Sequence, residues 1–526
     1  MQTNKYTLTY STMFDPPEEL HLQFKDALKA LKAKLGKEHG MLIAGKDRFA
    51  AEKFEKYSPA DTTELLGVFQ KGTEQHANEA LVAARQAFRQ WSSTKWQDRV
   101  TLLRKAAEII DNRIFEMGAV MSLEVGKNRM ESLGEIAETA DLIRYACDQM
   151  EKNNGYRVEM GRDPLTDYVS TNQSVMKPYG VWLVISPFNF PVALTGGPVG
   201  AALVTGNTVV MKPATDTPWS VRLLAECLQE SGLPDGVFNY VTGPGQTLGQ
   251  TLIESPEVDG VTFTGSYDVG MKIHREFAKG RHIRPTILEL GGKNPVIVSR
   301  YANLEHASMG VARSAFGLQG QKCSAASRVY VEAPVYEEFL SLLVQITNKL
   351  IIGNPTSRNT YIGPVINQCA YQNFVDFSQE LSQAGEIITG GKALTEGDYK
   401  HGFFCSPTIV TDLPVEHRLW KHEMFLPIIA VAKVNNLDKA MKMANEVDYG
   451  LTAGFYGSEA ETEWFFDQIE AGTVYANRPQ GATTGAWPGF QPFGGWKGSG
   501  STGKNVGGHY YLPLYMHEQS RTRVVS

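Results

Sequence analysis

Five short apolar runs between residues 181 and 290 constrain this chain most: VWLVI (181–185), NTVVMK (207–212), VFNYVTG (237–243), GVTFTG (260–265) and TILEL (286–290). Each has strand length, and most are followed by a small-residue or helix-like stretch of crossover length. Parallel strands need such crossovers, because a tight turn can join only antiparallel neighbours. The alternation therefore predicts βαβ units and a parallel α/β sheet. Sheets of this kind bind ligands beyond the C-terminal ends of their strands. Residues just after each run are where function is to be sought.

Around this block the pattern changes. Upstream, helical spacing runs from Glu18 to Leu35 and stops at Gly36, covers NEALVAARQAFRQW (78–91), runs from Trp96 to about Met117, and recurs from Met130 to Met150. The first 150 residues thus read as mostly helical. Tyr168 to Lys177 is polar and β-leaning, as in a protruding hairpin. Downstream, helical stretches near 304–317 and 334–350 flank RVYVEA, and LPIIAVAKV (426–434) and GTVYANR (472–478) continue a second α/β region. The tail from Gly494 to Ser526 is rich in Gly, Ser and Tyr and shows no core-helix pattern. At 526 residues, two or three domains are expected.

Composition excludes several classes. A formal charge of −6 with no long basic run argues against a nucleic-acid or membrane-surface partner. The five cysteines, Cys147, Cys227, Cys323, Cys369 and Cys405, are odd in number and widely spaced with no CxxC pair. Neither a disulfide framework nor a metal site is expected. The N-terminus lacks a signal-peptide core and no long apolar stretch occurs, so the expected location is the cytoplasm.

Three residues carry the candidate chemistry, and each has a bland reading beside the functional one. A lone cysteine is commonly a small buried hydrophobe, but Cys323 lies in GLQGQKCSAASR, a small-residue loop of the kind that lets a substrate reach a thiol. Glu289 ends TILEL just before Gly291-Gly292, placed to enter a cleft or equally to serve as a cap or ion-pair partner. Asn189, in SPFNFP, is either a turn residue or an amide donor to a developing oxyanion.

Together these segments resemble the aldehyde dehydrogenase superfamily from about Met41 to Gly500. SPFNFP is similar to its PWNFP-type motif, LELGGKNP (288–295) to its glutamate motif, and GQKCSAASR (320–328) to its cysteine motif. EMFLPI (423–428) and QPFGGWKGSG (491–500) resemble its ExFGP and PFGGxKxSG segments, and 34 residues separate Glu289 from Cys323, as the family expects. The resemblance implies an α/β fold of three parts. These are an NAD(P)-binding domain of variant Rossmann type (1–155 and 181–290), a catalytic domain (291–498), and a β-hairpin oligomerisation arm (156–180 and 499–526) implying a homodimer or larger assembly. It implies Cys323 as nucleophile, Asn189 as oxyanion donor, and Glu289 as the base that activates water.

The ordinary GxGxxG fingerprint is absent: FTGSYDVG (263–270) offers GSxxxG instead. The resemblance places the cofactor against Ile185, Ser186, Pro187, Lys212, Thr215, Gly245, Gly265, Ser266, Glu423 and Phe425. Thr215 stands where many NAD-preferring members carry glutamate, so the charge that repels a 2′-phosphate is missing. NAD is expected, with NADP left open.

The N-terminal extension, the Phe of SPFNF, the Ser after the nucleophile and GGHYYLPLYM resemble the branch of the family that oxidises L-glutamate γ-semialdehyde to glutamate. That resemblance implies a substrate site of Phe188, Ser324, Gly485 and Ala486, with backbone N–H groups of the ATTGAWPG loop on the α-carboxylate. Glu135 is the positional match for an acid facing the ammonium, its other reading being a solvated helix face. Another semialdehyde or small aldehyde, or acyl transfer to CoA, are the alternatives; members that use CoA generally lack the base.

Overall fold

The five apolar runs lie side by side. In the computed structural model, which describes residues 6–164, 167–479 and 486–525, they form neighbouring strands in the order Thr286–Glu289, Gly260–Thr264, Val181–Ile185, Thr208–Lys212 and Phe238–Tyr240. All four pairings between them are parallel. Helices cover the faces, so Gly260–Thr264 and Thr208–Lys212 are buried at every position. That is why they read as continuous apolar runs rather than as alternation. Met41–Ile43 and Lys46–Arg48 extend the sheet antiparallel at its far edge, giving seven strands.

A second seven-stranded sheet takes the order Glu386–Thr389, Thr408–Thr411, Ile428–Val434, Ala326–Glu332, Asn294–Val298, Thr452–Tyr456 and Thr473–Ala476. Only its edge pair, Glu386–Thr389 with Thr408–Thr411, is antiparallel. The β-leaning segment after Tyr168 is the strand Val169–Pro178. It pairs over its whole length with the C-terminal strand Met516–Val525, and Arg157–Glu159 lies on its other side. Ahead of that C-terminal strand, the chain from Ser499 to Tyr515 packs against the two larger sheets. Ser499 Oγ donates to Gly291 O at 2.7 Å, and Tyr515 is fully buried, its carbonyl accepting from Asn207 Nδ2 at 2.9 Å.

Two expectations need correction. The helix from Trp96 is interrupted at Arg113 (φ −102°, ψ 12°), giving Trp96–Asn112 and Ile114–Val125. The first 150 residues also hold five short strands, including a small sheet of Lys37–His39, Leu65–Gln70 and Lys53–Tyr57. Three of the five have only three residues, too few to display a period of two. No helix among the described residues is long and apolar enough to cross a membrane.

Candidate active site

The first sheet ends at Glu289 and the second begins at Asn294, so the chain crosses between them through Leu290-Gly-Gly-Lys293. A cavity of about 420 Å³ lies at this junction. Its walls come from C-terminal strand ends of the first sheet: Ser186 to Asn189, Ala214, Phe263 to Ser266, and Leu290-Gly291. Val269 adds a helix residue. The second sheet contributes Cys323, ahead of Ala326–Glu332, and Glu423 and Phe425, ahead of Ile428–Val434.

The approach to Cys323 is strained. After the helix Leu304–Phe316 the chain takes left-handed conformations at Leu318 (φ 46°), Gln319 (φ 56°) and Gly320 (φ 67°). For the two non-glycine residues this costs about 1–3 kcal/mol each, and it persists only where surroundings over-determine the path. They do. Leu318 N–H donates to Glu131 Oε2 at 3.1 Å, Gln319 Nε2 to Gly126 O at 3.0 Å, and Lys322 Nζ to Glu131 Oε1 at 2.7 Å. Lys322 is thus turned to a carboxylate on the helix Arg129–Lys152. Below the loop, Asn294 Nδ2 donates to both Cys323 O (2.7 Å) and Ala325 O (2.8 Å), and its Oδ1 accepts from Thr452 N–H. This clamp had no role in the sequence reading; its signal was an amide inside the glutamate motif. A Cβ on Gly320 would overlap Leu426 O. Gly320→Ala is expected to destabilise the fold by about 2 kcal/mol or more from strain and overlap together. An unchanged denaturant midpoint would contradict that account.

The two glycines after Glu289 are sized by their neighbours. A side chain at Gly291 would run into the Glu423 carboxylate, and one at Gly292 into Cys323 O. Gly292 N–H donates to Glu423 Oε1 at 2.8 Å. Burial nevertheless pushes the Glu423 carboxyl up to about 7, against the lowering effect of that bond and of Lys293. Glu289 is buried, its Oε2 has no hydrogen-bond partner, and burial raises its carboxyl well above the usual range. Burial, then the nearby Glu423 and Glu289 carboxylates, push the Cys323 thiol up to about 12, although the N–H groups of Ser324 and Cys323 point at the sulfur and favour the thiolate. Asn189 is buried at the cavity wall.

Other residues singled out from sequence fall in distinct places. Ser186, Pro187, Phe188, Gly265, Ser266, Glu423 and Phe425 line the cavity. Phe188 meets Phe425 edge-on, with centroids 5.8 Å apart. Ile185 and Lys212 are paired at the ends of adjacent strands. Burial lowers the Lys212 amine to about 8, and its Nζ reaches Pro213 O at 3.1 Å. Thr215 and Gly245 are exposed beyond the enclosed part. Ser324 is buried next to the nucleophile loop and Ala486 is buried; Gly485 lies outside the described residues.

Glu135 corrects the solvated-face option of the sequence reading: it is fully buried, with Oε2 paired to Lys127 and Oε1 accepting from the N–H groups of Val192 and Ala193 at 2.8 and 3.1 Å. It anchors the start of the helix Ala193–Thr205, immediately after SPFNFP, where a carboxylate complements exposed N–H groups.

The aldehyde dehydrogenase family model matches residues 47–520, and the chain belongs to that family. Over 503 residues it is 38% identical to a 1-pyrroline-5-carboxylate dehydrogenase of Geobacillus sp. (strain WCH70), covering 94% of this chain and 95% of the relative. It is 37% identical over 502 residues to 1-pyrroline-5-carboxylate dehydrogenase 2 of Bacillus subtilis (strain 168), with the same coverage, 94% and 95%. The solved structure of 1-pyrroline-5-carboxylate dehydrogenase from Thermus with bound NAD superposes with a TM-score of 0.92 at 32% identity, covering 99% of this chain and all of that one.

Proposed function

We propose that this chain oxidises L-glutamate γ-semialdehyde, the open form of 1-pyrroline-5-carboxylate, to L-glutamate in proline breakdown, with NAD(P) as oxidant. The observation that carries the reading is the convergence of Cys323 and Asn189 on one cavity, within the field of the unpartnered Glu289 carboxyl. The similarity to the Geobacillus, Bacillus and Thermus enzymes over nearly the whole chain supports the choice of aldehyde.

The residues present fit a dinucleotide. Ser186 Oγ is buried at the cavity wall without a partner. Gly265 and Ser266 precede the twelve-residue helix Tyr267–Ala278, whose first-turn N–H groups suit a diphosphate. Phe263, Val269 and Leu290 supply apolar wall. In this reading Ile185, Ser186, Pro187, Lys212, Thr215 and Gly245 hold the adenosine half, Gly265 and Ser266 the diphosphate, and Glu423 and Phe425 the nicotinamide ribose and ring. The chemistry the cofactor supplies when bound is hydride acceptance. With Thr215 exposed and uncharged, a 2′-phosphate meets no carboxylate there, so NADP is accepted beside NAD.

Cys323 gives its Sγ proton to solvent and attacks the aldehyde carbon; the carbonyl π electrons pass to oxygen, forming the thiohemiacetal oxyanion. The Asn189 amide and the Cys323 N–H hold the oxyanion, donors fixed before the charge develops. After oxidation Cys323 carries the acyl group as a thioester. Glu289 takes a proton from water, whose oxygen attacks the thioester carbon; the C–S bond breaks, releasing the carboxylic acid and the thiol. Phe188, Ser324 and the loop at Gly485 and Ala486 receive the far end of the substrate. The cofactor domain is proposed as 1–155 with 181–290 and the catalytic domain as 291–498. Among the described residues the ten-residue strand Met516–Val525 pairs along one edge only, which suits addition of a second copy; the proposed assembly is a homodimer or larger.

Steady-state kinetics without CoA test this. The kcat/KM for glutamate γ-semialdehyde is expected to exceed that for succinate semialdehyde and propionaldehyde by about tenfold or more, since unfilled polar partners in a built site are costly. A simple aliphatic aldehyde in first place would refute the substrate, and strict CoA dependence would refute hydrolysis.

A further inference from the structure

The segment ahead of the first helix is bound into the body at a telling place. A turn closed by Thr12 N–H to Thr9 O at 3.1 Å, and by Thr9 N–H to Thr12 Oγ1 at 2.9 Å, presents Tyr10 and Met13 inward, both buried. The Tyr10 ring meets Trp487 edge-on at 5.5 Å and Phe190 edge-on at 6.3 Å, and its hydroxyl donates to Glu138 Oε2 at 2.7 Å. Trp487 Nε1 in turn donates to Asp141 Oδ2 at 2.9 Å. On the other side of residues 480–485, Arg478 Nη2 donates to Ser11 Oγ at 2.9 Å. Adjacent strap residues therefore contact the chain at Arg478, ahead of the proposed carboxylate-binding loop, and at Trp487 within it. Phe190 is the neighbour of Asn189, and Lys127 Nζ also sits over it, 3.5 Å from the ring centroid.

We infer that residues 9–14 form a positioning strap for the substrate's far end: Tyr10 and Ser11 fix Trp487 and Arg478, and through them the Ala486 N–H, relative to Phe190 and the oxyanion residue. The inference rests on the reading that this loop receives the α-carboxylate. Tyr10 touches neither substrate nor cofactor; it acts through Trp487 and Phe190. Its physical basis is that aromatic edge-to-face pairs and buried hydrogen bonds set one geometry, where a purely apolar contact leaves latitude. Small misplacement of a binding group is enough to lose selectivity. The strap thereby makes the N-terminal segment part of specificity rather than of the fold alone.

The test compares Tyr10→Ala, Tyr10→Leu and Tyr10→Phe in the full-length enzyme, with glutamate γ-semialdehyde and propionaldehyde as substrates. Tyr10→Ala and Tyr10→Leu are expected to raise KM for glutamate γ-semialdehyde about tenfold with kcat within about twofold, and to leave kcat/KM for propionaldehyde within about twofold. Tyr10→Phe, which keeps both ring contacts, is expected to keep KM within about threefold of wild type. Tyr10→Leu keeps apolar volume and reads the effect should Tyr10→Ala fail to fold. Equal losses on both aldehydes would mean a structural strap only, and unchanged KM would overturn the inference outright. A wild-type enzyme with no preference for glutamate γ-semialdehyde would instead bring down the substrate reading on which the strap depends. Wild-type preference with an unaltered Tyr10→Leu profile would bring down the strap alone.

Discussion

Cys323→Ala is expected to abolish aldehyde oxidation, lowering kcat by at least about 10⁴-fold, while NAD binding and the melting temperature stay near wild type. The expectation separates this thiol from the other four by their surroundings. Cys147, Cys227 and Cys405 are buried with their thiols raised by desolvation, as befits small core side chains, and Cys369 is exposed on the helix Gln368–Ala384. Cys323 is also raised, but it alone among them borders the junction cavity, with two backbone N–H groups aimed at its sulfur and an unpartnered carboxyl within its field. Removing one partly exposed sulfur there deletes little packing, so activity and stability should part company. Reduced-cofactor absorbance measures the first, a thermal melt the second, and Cys369→Ala serves as the control that stays active. Residual turnover above about 1% of wild type in Cys323→Ala would remove the thiol from the mechanism.

How much of this was readable in advance depended on whether a residue's surroundings are local. The parallel strands were legible because burial on both faces leaves an unmistakable apolar run, as in Val181–Ile185 and Gly260–Thr264. The break at Arg113 was not, because the apolar residues of Trp96–Asn112 and Ile114–Val125 continue through it and only the backbone angles change. Candidate site residues could be picked out where the chain repeats family segments at fixed spacing. Their electrostatics could not: the Glu289 carboxyl is raised by burial, and its strand end is met by residues from far along the chain, through the Glu289–Gly500 bridge and the Leu290 N–H to Ser499 O bond. The solvated-face reading of Glu135 failed for the same reason: Lys127 and the start of Ala193–Thr205 bury the face of the helix on which it sits. The strap was equally invisible, since Tyr10 and Trp487 meet only in three dimensions.

Glu289→Gln sharpens the proposed division of labour, because it should cost activity and not stability. If Glu289 activates the deacylating water, the variant still forms the thioester. Mixing it with cofactor and aldehyde is then expected to give a burst of about one reduced cofactor per active site, followed by a steady rate about 10²–10⁴-fold below wild type. A base held above the usual carboxylate range by burial is protonated at a pH where exposed carboxylates are not. Wild-type kcat should therefore still be climbing with pH above the range in which exposed carboxylates titrate, and the variant should lose that limb. The stability effect has the opposite sign. The folded carboxyl holds its proton more tightly than the unfolded one, so the native state binds more protons above the unfolded value and stability falls as pH rises through the folded value. Glutamine needs no proton and removes this penalty, so at pH 8 the variant is expected to melt no lower than wild type. A carboxylate kept for structure would show the reverse pattern: lower melting temperature, kcat nearly intact and no burst. Loss of the burst together with full loss of turnover would place Glu289 before the thioester, at activation of Cys323, rather than after it.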